Sequence, residues 1–385
     1  MKRKNGEASI IGLGTAVPAY RIDQDDVASR LAEALENYPD SARWARRIFR
    51  QGDVDTRFTC DPNLLEPAST CRYMPSGESK TTPGTSERMA LYRRESVPLG
   101  VQAALKALAD ACTSASEVTH LLTVSCTGQF LPGLDAELVR RLGLSARVQR
   151  IPLTFLGCAA GLRAIRLAQE LAGGDEHARV LIVCVELCTL HFQPTEERDS
   201  LYPASFFGDG AAACVVSASE VDRVGVLRLG EGESVLIKES SGEEMVWEVG
   251  DHGFDLFLST DIPKLLAEYL PAELGQLLHN KELPALWAIH PGGKAIIDTV
   301  QRLYGLSDEQ TSFSRNVLRR CGNMSSATIL FVLQAIRAEM IGSGAGEEQG
   351  IALAFGPGLT VEMMRFEYCR TPRMMESFAY DDASV

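Results

Sequence analysis

The sequence predicts a layered α/β fold made of two similar halves, and three observations carry that expectation. Short apolar runs of strand length alternate with segments whose apolar residues recur at helical period. Hydrophobic residues make up 45% and charged residues 23% of 385, the composition of a folded chain large enough for two domains or one duplicated fold. The same order of elements also occurs twice: a strand, a small-residue turn, a helix, a strand. Cys158 follows Cys126 by 32 residues in the first set, and Asn323 follows His290 by 33 in the second. We expect one half over residues 1–220 and the other over 221–385.

The chain opens Met1-Lys2-Arg3-Lys4 before an apolar stretch from Ala8 to Tyr20. Gly12, Gly14 and Pro18 interrupt that stretch, so a first strand entering a glycine turn fits better than a secretion signal. Arg43, Arg46, Arg47 and Arg50 recur at i, i+3, i+4 and i+7, one face of a helix. Thr59–Arg88, rich in Pro, Ser, Thr and Gly, reads as a surface excursion. Strands are expected at His120–Cys126, Arg179–Leu187, Ala211–Ser217, Ala285–His290, Gly350–Phe355 and Thr360–Tyr368. Helices are expected at Val97–Ala111, Ala159–Leu171 and Met324–Met340. The polar, acidic stretch Glu220–Glu244 reads as the connection between the halves.

Lys and Arg number 38 against 51 Asp and Glu, a net charge of −13. Such a surface repels nucleic acid and anionic lipid, so neither a nucleic-acid partner nor stable membrane association is expected. No apolar run approaches the roughly 20 residues of a membrane span. An anionic substrate would need a local basic patch. None of the ten cysteines has CxxC spacing and several lie inside apolar strands. We expect free thiols in a cytoplasmic protein, with no metal site.

Three short motifs carry chemistry. In Phe155-Leu156-Gly157-Cys158-Ala159-Ala160-Gly161, a Cys stands at the start of a helix among small residues. The helix dipole favours thiolate there, and small neighbours admit a substrate. A buried structural Cys is the alternative, and it is preferred for the other nine. In Trp287-Ala288-Ile289-His290-Pro291-Gly292-Gly293, a His ends an apolar strand before a sharp turn. That places an imidazole at a strand's C-terminal edge, where α/β sites collect; a hydrogen-bonded core His is the alternative. In Cys321-Gly322-Asn323-Met324-Ser325-Ser326, the Asn is either a helix N-cap or an amide donor to a developing oxyanion.

Together these residues resemble the type III polyketide synthases, the chalcone-synthase-like branch of the thiolase superfamily. The similarity extends through Gly12–Pro18, Gly128–Gly133, Phe207-Gly208-Asp209-Gly210 and Phe355-Gly356-Pro357-Gly358. It implies a homodimeric thiolase fold with a duplicated, five-layer αβαβα core, the nucleophilic Cys in the N-terminal half and the His and Asn in the C-terminal half. It also implies a catalytic triad of Cys158, His290 and Asn323 acting on acyl-CoA and malonyl-CoA, without metal or organic cofactor. Arg47 falls on a family position that binds CoA phosphates, and Phe207 on a gatekeeper between the CoA tunnel and the cavity. Leu256 falls on a second gatekeeper, usually Phe in plant members. Gly292, Ala295, Gly356 and Pro357 are expected beside the substrate.

Cys126, Cys188 and His191 stand where plant members often carry Thr, and Cys126 is similar to microbial members, including naphthalene-forming ones. Trp247 falls near a small residue of plant enzymes, and Met245-Val246-Trp247-Glu248 resembles bacterial alkylpyrone and alkylresorcinol makers. Glu186 and Ser325 match positions that steer cyclisation, and Ala354 stands where the family's loop has its first glycine. The resemblance thus implies iterative decarboxylative condensation of malonyl-CoA onto a Cys-bound fatty acyl starter, then closure to a pyrone or resorcinol. A malonyl-primed synthase making a polyhydroxylated aromatic, such as a naphthalene, is the near alternative. Another condensing enzyme of the superfamily, such as a ketoacyl-carrier-protein synthase III, a cysteine hydrolase and a non-catalytic scaffold are further ones.

Overall fold

A computed structural model of the chain describes residues 8–74, 81–193, 195–218, 224–279 and 282–370. The N-terminal elements are β1 (Ser9–Ala16), β2 (Tyr20–Asp23), α1 (Gln24–Ala34), α2 (Pro39–Gln51), β3 (Thr56–Thr59) and α3 (Thr85–Asp110). Next come β4 (His120–Ser125), α4 (Leu134–Leu142), β5 (Gln149–Thr154), α5 (Ala160–Gly173), β6 (Val180–Leu187), α6 (Arg198–Ala204) and β7 (Asp209–Ser217). After them follow β8 (Val226–Leu236), β9 (Met245–Gly250), β10 (Gly253–Leu258), α7 (Ile262–Leu277), β11 (Leu286–Ile289) and α8 (Lys294–Tyr304). The chain continues through α9 (Asp308–Cys321), α10 (Thr328–Ser343), β12 (Glu348–Gly356) and β13 (Thr360–Cys369).

Nine strands form one sheet in the order β11-β12-β13-β8-β1-β7-β6-β4-β5. The four C-terminal strands meet the five N-terminal ones where β1 pairs with β8, over Ser9↔Arg228 and Ile10↔Leu227 alone. That thin seam lets the two groups fold over on each other. Helices α5 and α10 fill the space between them: Leu162, Ile165, Ile329 and Ile336 pack on Leu122, Ile182 and Cys214 on one side and on Ala352 and Met364 on the other. Each such aliphatic side chain, taken fully out of water, contributes about 1.5–3 kcal/mol. Ala103, Ala107 and Leu138 of α3 and α4 cover the outer face of the N-terminal strands. Leu266, Leu270, Ile296 and Val300 of α7 and α8 cover that of the C-terminal strands. The result is the expected five-layer αβαβα arrangement.

Close approach explains the glycines of β1. A Cβ added at Gly12 would sit 2.4 Å from the Ala107 carbonyl oxygen, and one at Gly14 2.4 Å from that of Ala103. Helix α3 therefore lies directly on the strand backbone.

Three expectations change. Glu220–Glu244 holds a full strand, β8, inside the sheet between β13 and β1; its apolar positions Val226, Leu227 and Leu229 are buried while its glutamates face outward. Residues 220–223 of that stretch lie outside the described residues. Within Thr59–Arg88, Leu64, Cys71, Tyr73 and Met74 pack into a core with α1 and α2, so the described part of that excursion is anchored; residues 75–80 lie outside the described residues. The helix expected from Met324 begins instead with a tight turn at Ser325–Ala327, and α10 starts at Thr328. Ala354 lies within β12, opposite Glu362, where no glycine-specific backbone is needed.

Candidate active site

Cys158 sits in a one-turn 3-10 helix, Gly157–Ala159, feeding directly into α5. Gly157 has φ +63°, and a Cβ there would strike Pro357 Cδ at 2.3 Å. The glycine lets the 357 turn close over the nucleophile's loop. A Cβ at Gly161, one turn on, would sit 2.1 Å from the Ser326 carbonyl oxygen. That contact locks the Cys158 helix against the turn carrying Asn323.

Asn323 is held by its own backbone: its N–H donates to Phe206 O at 2.8 Å, and its carbonyl accepts from Gly208 N at 3.0 Å. Oδ1 accepts from Ser325 N at 2.8 Å. This turn leaves Nδ2 facing the Cys158 sulfur at 3.8 Å and the Gly292 carbonyl at 3.4 Å. The sequence left N-cap and donor open; the side chain caps its own turn through Oδ1 and offers Nδ2 to the cavity. Ser325 holds φ +46°, a costly conformation for a residue with a Cβ.

His290 follows β11, its N–H bonded to Leu353 O at 2.8 Å. It is fully buried, yet neither ring nitrogen has a hydrogen-bond partner among the described residues. Buried polar atoms are normally paired, so both nitrogens are free to bond a group that enters the cavity. Burial pushes the His290 imidazole down to about 3 and the Cys158 thiol up to about 11, the latter opposed by Ser325 and Asn323. Each charged form is disfavoured alone; proton transfer between the two groups creates charges that stabilise one another.

The three residues share a cavity of about 260 Å³. Gly292, Ala295 and Pro357 line it, together with Phe207 and Leu256. Met245 of the Met245–Glu248 motif lines it too, and residues that no motif singled out complete the wall, among them Tyr202, Leu258 and Ile296. They come from α6, the β9–β10 hairpin and α8, and only the tertiary fold brings them together. Gly356 packs behind, its Cβ position 2.9 Å from Ala159 Cβ.

A second cavity of about 540 Å³ adjoins the first, and Phe207, Trp247 and Leu256 line both. Trp247 and Leu256 face each other across the β9–β10 ladder. Cys188 and His191 line this second space rather than the first. His191 has no free nitrogen: Nε2 donates to Thr127 O at 2.7 Å, Nδ1 accepts from Phe254 N at 3.0 Å, and the ring stacks on Phe254 at 4.3 Å. Burial lowers its pKa to about 3, so it meets the second cavity as a neutral ring.

Cys126 and Ser325 lie under the catalytic cavity, not in its wall. Cys126 Sγ is 3.1 Å from Ser325 Oγ, and its N–H donates to Glu186 Oε2 at 3.1 Å. Glu186 also accepts from Thr127 Oγ1 at 2.7 Å and from Ser326 Oγ; burial raises its pKa, which these donors oppose. Arg47 is placed on the exposed face of α2, where Nε donates to Gln51 Oε1 at 3.3 Å, outside both cavities. Next to Ala295 of the cavity wall, Lys294 pairs with Asp298 at 2.5 Å and Asp53 at 3.9 Å. The ten cysteines are free thiols. Among the described residues no helix is long and apolar enough to cross a membrane.

A five-layer α/β core with a buried cysteine at a helix start, facing a histidine and an asparagine from the other half, defines a condensing enzyme of the thiolase type. Residues 1–220 match the N-terminal domain of chalcone and stilbene synthases, and residues 236–368 match the C-terminal domain. The chain belongs to this family, the type III polyketide synthases, and is an acyltransferase that condenses malonyl-CoA. Members work on CoA thioesters without a separate cofactor. The chain is 31% identical over 373 residues to the alpha-pyrone synthesis polyketide synthase-like Pks18 of Mycobacterium tuberculosis and of Mycobacterium bovis, covering 94% of this chain and 92% of theirs. Among solved structures, the C-terminal type III polyketide synthase domain of Steely1, a type I/III hybrid from Dictyostelium, superposes with a TM-score of 0.84 at 27% identity, over 94% of this chain and 99% of that one.

Proposed function

We propose that Cys158, His290 and Asn323 are the catalytic residues, and that the enzyme extends a fatty acyl starter and releases a pyrone or resorcinol. The observation that carries the catalytic part is the pair of unpartnered His290 nitrogens in one buried cavity with Cys158 Sγ and Asn323 Nδ2. In the loading step the thiol proton passes to His290 as Sγ attacks the thioester carbonyl of acyl-CoA, and the CoA thiolate leaves with that proton. Malonyl-CoA then enters and loses carbon dioxide. The electron pair left behind spreads onto the thioester oxygen, where a His290 N–H and Asn323 Nδ2–H donate to it. The enolate carbon bonds to the acyl carbonyl and Sγ departs as thiolate. Return of the longer chain to Sγ starts the next round.

The fatty starter is supported by the cavity wall, where Phe207, Met245, Trp247, Leu256, Leu258 and Ile296 offer an apolar seat. The alpha-pyrone description of the mycobacterial relatives supports the product class. Arg47 is assigned to CoA phosphate binding by its place in the family pattern. A homodimer accords with two neighbouring features: β5 ends the sheet, and Leu131, 91% exposed, lines a surface hollow with Pro152 and Thr154 of that strand. Free thiols accord with the cytoplasm.

The test is mass spectrometry of products formed from malonyl-CoA and a graded series of acyl-CoA starters, beside Cys158→Ala. Cys158-dependent pyrones or resorcinols carrying the fatty chain are expected. Products from malonyl-CoA alone, with long starters ignored, would overturn the fatty-acyl reading in favour of malonyl priming.

A further inference from the structure

Arg57 lies in β3, outside the catalytic cavity, and is fully buried. It makes no ion pair among the described residues; Asp209, the acid whose charge acts on it, has its oxygens occupied by Cys60 N and by the Thr189 N–H and hydroxyl. Its guanidinium is sandwiched instead between the rings of Phe49 and Phe192, 5.7 and 5.6 Å from their centroids. A cation is an expensive way to fill an apolar space, so its hydrogen bonds are informative. Nη1 donates to two carbonyls, Ala204 O at the end of α6 at 2.6 Å and Phe207 O three residues beyond it at 2.7 Å.

The stem of Arg57 is equally specific. Its Cβ lies 3.3 Å from where Gly208 would carry a Cβ, and its Cγ 3.0 Å from the same point on Gly322. It thus runs between the two glycines that flank the Phe207–Asn323 bridge. The neighbouring backbone is stitched to the same place: Asp55 N donates to Arg319 O at 2.8 Å, and Thr56 Oγ1 to Arg320 O at 2.8 Å, just before Gly322. Asn323 is then bonded on both sides to Phe206 and Gly208. One buried side chain therefore grips both backbone segments that fix the Asn323 amide.

We infer that Arg57 is a positioning residue for decarboxylation: by holding Phe206–Gly208 against Gly322–Asn323, it aims Asn323 Nδ2 at the oxygen that becomes negative. The inference rests on the reading of Asn323 given above. Arg57 touches neither substrate nor Cys158, so its effect should fall on one step. Loading of Cys158 rests mainly on the thiol and His290, with Asn323 Nδ2 only a long contact to the sulfur at 3.8 Å, whereas enolate formation needs the Asn323 amide in place.

The experiment compares Arg57→Met, which keeps the stem without donors, with Arg57→Lys, which keeps the charge with a shorter reach. Acyl loading is read by intact-protein mass, malonyl-CoA decarboxylation by release of carbon dioxide, and folding by circular dichroism. In Arg57→Met, kcat for decarboxylation is expected to fall about tenfold or more, as when an oxyanion donor is misplaced. Its KM should stay within about threefold and loading within about twofold. Arg57→Lys should lie between Met and wild type. A folded Met variant with unchanged decarboxylation, or with loading and decarboxylation lowered in equal measure, would overturn the inference. If the Met variant does not fold, the Lys variant decides: a selective loss of decarboxylation supports the role, and wild-type kcat or an equal loss of both steps refutes it. Asn323→Ala is measured alongside. If it retains decarboxylation, the reading of Asn323 itself fails; if it loses decarboxylation and the Arg57 variants do not, only the inference about Arg57 fails.

Discussion

At the scale of the residue, burial sets the terms for Cys158 and His290 alike. Burial pushes the Cys158 thiol up to about 11, so the sulfur reacts near neutral pH only if a neighbouring base takes its proton. His290→Ala should therefore slow alkylation of Cys158 by iodoacetamide at pH 7 by about tenfold or more and move the inflection of its pH–rate curve upward. An unshifted profile would mean that the imidazole does not handle the thiol's proton. Trp247 lends itself to a second test, because it stands in the wall common to both cavities. Trp247→Ala should join them, and longer starters or products with more malonyl-derived units should follow in the mass spectrum. Cys158, His290 and Asn323 were readable because each sits in a short turn whose small neighbours advertise it. Arg57 was not: its partners Ala204, Phe207 and Gly322 are brought to it only by the tertiary fold.

At the scale of the element, glycines set the distances between layers. Gly161→Ala would press on the Ser326 carbonyl and shift α5 from the Asn323 turn. It should cost about 1–3 kcal/mol in a urea titration, as overpacking does, and lower condensation even where the variant is folded. A variant with wild-type stability and turnover would show that the turn can yield there. The strands with long apolar runs, β4, β6 and β7, were legible from composition. Strand β8 was not, because its glutamates and glycines look like a linker, and its pairing with β13 is specified by residues far along the chain. Nor did β5 stand out, with Pro152 inside a half-exposed edge strand. The β9–β10 hairpin, which brings Trp247 and Leu256 to the cavity, likewise had no strong periodic signal.

At the scale of the whole molecule, buried ionisable groups tie stability to pH. His290 is held neutral, its pKa lowered to about 3 by burial. The unfolded chain takes up that proton near the ordinary value of about 6.5. Between these values the unfolded state binds more protons, so His290 lowers stability as pH falls through that window. Burial raises Asp209 to about 6, and this works in the opposite sense: stability grows as pH falls from there towards the usual carboxylate range. A difference measurement separates the two. On going from pH 7 to 4.5, His290→Phe should lose about 2 kcal/mol less unfolding free energy than wild type. Equal losses would mean that His290 is charged in the folded protein.

The pairing of β1 with β7 has a consequence for how the protein is made. The first strand leaves the ribosome about 200 residues before the one it pairs with, a wait on the order of 10–40 s at ordinary rates of synthesis. During that time an apolar strand and the long helix that lies on it have no sheet to join, so the nascent chain is a natural client for chaperones. Cys158 is likewise synthesised before the histidine and asparagine that face it, and stays an ordinary thiol until residues 290–323 have emerged and folded against it.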